Sequence, residues 1–130
     1  MKLEYLGIVV RDMKESLRFY GLLGLPTEGL DPKEEHVECT LSNGMRIAWE
    51  TVELIKKIDA NWKDPVGQGM AIAFACDSPA EVDAAYQKVI HAGFKGYKEP
   101  WDAFWGQRYA TVIDPNGNTV DLFAWLAKPA

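Results

Sequence analysis

The chain has 130 residues, 48% of them hydrophobic, enough for one core but within the range where a second domain is not expected. A formal charge of -5 with no run of Lys or Arg excludes a nucleic-acid footprint and makes a neutral or cationic small molecule the electrostatically easier partner. No apolar stretch approaches the roughly 20 residues of a membrane span, and the start lacks the residue order of a signal peptide, so a cytoplasmic protein without membrane contact is expected.

Leu6-Gly7-Ile8-Val9-Val10 is a short β-branched apolar run, which predicts a strand covered on both faces. A helix follows: Asp12 caps it, Glu15 stands three positions on, and Met13, Leu17 and Tyr20 supply its apolar stripe. Gly24 ends it as a left-handed cap. Asn43-Gly44 is a tight turn that launches a last strand over Met45 to Thr51. In that strand Trp49 alternates with Met45 and Ile47 and is expected in the helix-covered core. Leu54 to Gly69, with Lys56, Lys57, Asp64, Pro65 and Gly67, reads as a connector.

The grammar then repeats. Met70 to Cys76 is an apolar strand, and Ser78-Pro79-Ala80-Glu81 combines an N-cap, an N1 proline and a capping-box glutamate. Val82, Ala85, Val89 and Ala92 give the helical stripe, and Gly93 ends it. Asp12 is matched with Asp77, and Gly24 with Gly93. Asp114-Pro115-Asn116-Gly117 turns the chain into a final strand over Asn118 to Trp125. Cys39 and Cys76 lie in no CxxC pair and near no histidine at zinc spacing, so neither a disulfide framework nor a zinc site is suggested. One unit of this kind cannot bury both sides of its sheet, so two pack together, within a chain or between chains.

The segments Gly7 to Asp12, Phe19-Tyr20, Trp105-Gly106-Gln107-Arg108 and Asp114 to Asn118, in this order and spacing, resemble the vicinal-oxygen-chelate proteins, which include glyoxalase I, extradiol dioxygenases, fosfomycin-resistance enzymes and bleomycin-resistance proteins. The resemblance implies an α+β fold of two βαβββ modules forming curled mixed sheets around a cup. It places module one at about residues 1–53, the connector at 54–69 and module two at 70–127 of a single domain. It also implies a homodimer, for which unpaired strand edges supply a physical motive. Any metal would be held by the first and last strands of each module. Those positions correspond to Tyr5 and Met70 in the first strands and to Ala48 and Asp121 in the last, with Glu50 two residues beyond Ala48 on the same face.

A catalytic divalent metal needs about three nitrogen or oxygen ligands. Asp121 is one; Tyr5 is poor unless ionised, Met70 prefers soft metals, and Ala48 offers nothing. His36, at the start of a predicted third strand, and His91, at a helix end, fall away from these positions. No metal or other cofactor is therefore expected. By alternation, Tyr5, Gly7 and Val9 share one face with Met70, Ile72, Phe74, Asp121 and Phe123, lining an apolar and aromatic cup. Gly7 leaves room there for a ligand or for close backbone packing.

Trp101 and Trp105 either stack against a ligand or plug the end of the sheet. Arg108 either enters the cup beside Asp121 or makes a surface ion pair. The expected ligand-binding set is thus Tyr5, Glu50, Met70, Phe74, Trp101, Trp105, Arg108 and Asp121. The expected function is sequestration of a planar neutral or cationic compound without metal, as in the bleomycin-resistance group. The alternatives are a metal-dependent lyase, isomerase or dioxygenase, and metal-free acid-base catalysis by Asp121 or Glu50 assisted by Tyr5.

Overall fold

The apolar run near the amino end forms the first strand, β1 (Tyr5–Val10), of a computed structural model that describes residues 1–127. Asp12 caps the helix that follows, α1 (Met13–Leu22), its carboxylate accepting from the Glu15 N–H at 3.1 Å. Two strands then flank the Asn43-Gly44 turn, β2 (His36–Thr40) and β3 (Arg46–Thr51). Gly44 adopts φ +88° there, a backbone conformation that glycine reaches without steric cost. The sheet order is β1-β3-β2, with β1 parallel and β2 antiparallel to β3.

Two features of this half differ from the expected pattern. The segment between α1 and β2 forms successive turns and no strand, so the first sheet has three strands. Pro26 and Pro32 lack ladder donors, Gly29 takes φ +81°, and Asp31 bends the backbone locally by accepting from Lys33 N at 2.9 Å. The predicted connector also opens with a helix, α2 (Val52–Ile58). Thr51 caps it by accepting from Leu54 N at 3.2 Å, and Lys56 and Lys57 occupy its last turn, where cations oppose the negative helix end.

The second half follows with β4 (Ile72–Ala75), α3 (Pro79–His91), β5 (Lys95–Ala103), β6 (Gln107–Ile113) and β7 (Thr119–Trp125). These strands order as β4-β7-β6-β5, with β4 parallel to β7. Ser78 caps α3 by accepting from Glu81 N at 3.2 Å, while the Glu81 carboxylate reaches back to Asp77 N at 2.7 Å. At the final turn the buried Asp114 carboxylate accepts from Asn116 N at 2.8 Å and Asn118 N at 2.9 Å. That ties down the loop that sets the β6–β7 register.

Contacts divide the chain into two compact units, Met1–Val66 and Gly67–Ala130. The first buries Ile8, Val10, Phe19, Tyr20 and Trp49, with the Tyr20 and Trp49 rings 5.9 Å apart. Trp49 thus lies in the helix-covered core, as its alternation with Ile47 implies. The second buries Val82, Tyr86 and Val89 of α3 together with Ala110, Val112, Val120 and Leu122 of the sheet. Among the described residues no helix is long and apolar enough to cross a membrane.

Candidate functional site

In the first unit β3 aligns Arg46, Ala48 and Glu50 with Tyr5, Gly7 and Val9 of β1 and with Thr40, Glu38 and His36 of β2. Directly paired residues share a face, so these side chains meet on one side of the sheet. The Tyr5 ring lies along the strand and its hydroxyl donates to Glu50. Gly7 makes this possible: a Cβ there would stand 3.1 Å from the ring and 3.2 Å from the Glu50 carboxylate. Close packing within the protein, rather than room for a ligand, accounts for this glycine.

The same face carries a connected set of charges. Arg46 lies 4.9 Å from the centre of the Tyr5 ring and donates to Glu38 at 3.1 Å. His36 places Nε2 3.0 Å from Glu38 and Nδ1 3.8 Å from Glu50. The sequence reading set His36 apart from this face; the β2–β3 register brings it there, opposite Glu50. Burial, and then the bond to Glu50, push the Tyr5 phenol up to about 12. The His36 hydrogen bond and then Arg46 hold Glu38 below its ordinary value.

In the second unit β6 and β7 pair Tyr109 with Phe123 and Thr111 with Asp121. The Tyr109 hydroxyl donates to Asp121 at 2.6 Å and the Thr111 hydroxyl at 2.9 Å. Burial, and then the Asp121 bond, push the Tyr109 phenol up to about 12. Aromatic rings continue across this face: Tyr109 stacks with Phe123, Trp105 meets Tyr109 edge-on at 5.2 Å, and Trp101 meets Trp105 edge-on at 5.5 Å. Trp105 also donates its indole N–H to the buried Gln107 at 2.6 Å. Trp105 is 44% exposed, so it is not sealed inside the end of the sheet.

Three expected site residues lie elsewhere. Met70 precedes β4, with its side chain exposed. Phe74 pairs with Leu122, so it shares the face of the buried Leu122 rather than that of Asp121; Ala73 and Ala75 are the β4 residues beside Asp121 and Phe123. Arg108 points to the α3 side, gripping Asp83 through Nε at 2.9 Å and Nη2 at 3.2 Å and Asp102 at 3.1 Å.

The first two displacements share one cause. Asp12 caps α1 and Ser78 caps α3, so Asp12 corresponds to Ser78 and not to Asp77. With that correction the counterpart of Tyr5 is Ala71, and every face in β4 moves by one residue. Tyr109 and Thr111 escaped the sequence reading. Asp114 N donates to the Asn118 carbonyl to close the turn, and equal steps outward from that pair reach Thr111 and Asp121 together, so the signal was present in the turn.

The family model for the Glyoxalase/Bleomycin resistance protein/Dioxygenase superfamily matches residues 2–122. The chain belongs to this superfamily. Among solved structures it is similar to a glyoxalase/bleomycin resistance protein/dioxygenase family enzyme from Burkholderia phytofirmans PsJN, with 20% identity over 97% of this chain and 100% of that one and a TM-score of 0.82. A glyoxalase/bleomycin resistance protein/dioxygenase from Nocardioides shares 25% identity over 100% of this chain and 88% of its own, with a TM-score of 0.74. A protein of unknown function from Agrobacterium tumefaciens str. C58 shares 26% over 97% and 95%, with a TM-score of 0.70. Among curated proteins none matches the chain.

The divalent metal that enzymes of the glyoxalase superfamily carry does not suit the donors in either unit. In the first, Glu50 accepts from Tyr5, Glu38 accepts from Arg46 and His36, and Ala48 has no donor atom. In the second, both Asp121 oxygens accept hydroxyl bonds, and Ala71 and Ala73 add no ligand. Among the described residues no three His, Cys, Asp or Glu side chains gather closely enough to hold an ion.

Proposed function

We propose that this superfamily member is a metal-independent binding protein that sequesters a planar neutral or cationic compound on the aromatic face of its second unit. The observation that carries this reading is Asp121. It receives two neutral hydroxyl donors, has no cationic partner among the described residues, and stands beside the ring of Tyr109. A carboxylate so placed holds negative charge at a surface of π-faces, and both features attract a flat, positively charged ring. Trp101 and Trp105 extend the stacking area, and no bond of the ligand is broken.

Tryptophan fluorescence titration with N-methylacridinium and with its neutral counterpart acridine, at mildly alkaline pH, tests the reading. N-methylacridinium is expected to quench saturably, and Asp121→Asn to weaken it about tenfold through loss of the carboxylate charge. If neither dye alters the fluorescence of the wild-type protein, the reading falls.

A further inference from the structure

We propose that Lys98 is an internal competitor for the ligand's positive charge and sets the charge selectivity of the aromatic face: its ammonium lies 4.7 Å from the centre of the Trp101 ring, on the face that carries Asp121. The inference rests on the binding reading above and adds the residue that tunes it. Lys98 and Trp101 are three positions apart, a spacing that places two residues of a regular strand on opposite faces. Register shifts in β5 on both sides of Lys98 break that alternation, so that Lys98 pairs with Thr111 and Trp101 with Tyr109. Thr111 in turn pairs with Asp121, so Lys98, Thr111 and Asp121 form one row across three strands.

A lysine in that row has two resting places, the carboxylate or the indole. It takes the indole, where the ring quadrupole attracts it, and Asp121 is left to the hydroxyls of Tyr109 and Thr111. Arg46, which lies over Tyr5 in the first unit, differs because Glu38 and Glu4 also hold it. Lys98 has no carboxylate partner among the described residues and is free to leave. A cation that stacks on Trp101 must displace the ammonium and then tolerate its charge nearby. A neutral ring must only displace it.

Removing the charge therefore favours cations over neutral rings. Lys98→Gln is expected to tighten N-methylacridinium roughly three- to tenfold at low ionic strength and acridine by less than half that factor, with the difference fading in high salt. Lys98→Arg, which keeps the charge, is expected to leave the N-methylacridinium affinity within about twofold of wild type. An N-methylacridinium affinity unchanged by Lys98→Gln, or equal tightening of both dyes, overturns the role of Lys98 while the binding reading stands. Failure of the wild-type protein to bind either dye removes both.

Discussion

Tyr5 and Tyr109 stand in different sheets, yet each donates its hydroxyl to a carboxylate on the face that carries the candidate site. Each phenol rises from 10.0 to about 12, first through burial and then through the bond to the carboxylate. The native protein therefore keeps these protons where the unfolded chain has released them. The stabilisation is whole below the unfolded value of 10.0 and is lost as pH rises through about 12. Stability is thus expected to decline over that alkaline window, and Tyr109→Phe is expected to remove one late-ionising phenol from a spectrophotometric titration. A late phase of unchanged size in Tyr109→Phe would show that the bond to Asp121 does not form. The pairing itself was only half legible in the sequence. Tyr5 and Asp121 drew notice as chemistry-bearing residues at strand positions, but their partners depend on register and ring direction. Gly7 and Ala48 are small enough to let Tyr5 lie along the sheet, and no local pattern announces a side chain that runs along its own strand.

Helix caps and tight turns were the elements most open to reading, because each is specified by residues within four positions of one another. Asp12, Ser78-Pro79-Glu81, Asn43-Gly44 and Asp114 to Gly117 all act as their chemistry dictates. The one-residue offset in β4 comes from matching Asp12 with Asp77, two residues of the same type, although the N-cap that corresponds to Asp12 is Ser78, the residue after Asp77. In a strand an offset of one residue reverses every side chain, so Phe74 went to the wrong face although its strand was found. Ser78→Ala is expected to cost about 1 kcal/mol of stability, the usual value of an N-cap hydroxyl. Asp77 contributes its backbone N–H to Glu81, which alanine retains, so Asp77→Ala is expected to change stability by less than about 0.5 kcal/mol. Urea denaturation of the pair checks the assignment: a larger loss in Asp77→Ala than in Ser78→Ala would show that Ser78 is not the residue that caps α3. The absent strand before β2 and the added α2 were less legible for another reason. Prolines and a positive-φ glycine disrupt the one, and a threonine cap with two C-terminal lysines favours the other, but both lie where the repeat itself suggested something different.

Among the described residues, the carboxylates on the two candidate faces already accept hydrogen bonds from the protein. Glu50 and Glu38 in one unit, and Asp121 in the other, accept bonds from Tyr5, Arg46, His36, Tyr109 and Thr111. An ion entering either unit must break these contacts before it gains a ligand, and the residues beside them, Ala48 and Ala73, add none. A ligand present at about one hundred times its Kd stabilises the native state by about 2.7 kcal/mol, which is several degrees in unfolding temperature for a protein of this size. After stripping with a chelator, addition of manganese, nickel or zinc is expected to leave the unfolding temperature unchanged, whereas saturating N-methylacridinium is expected to raise it. The two titrations separate the superfamily's alternatives cleanly, since both measure native-state binding by the same mass action. A rise with a transition metal, accompanied by stoichiometric metal that survives desalting, would mean that the phenol–carboxylate bonds yield to coordination, and a metal-dependent catalyst would then replace the sequestering protein.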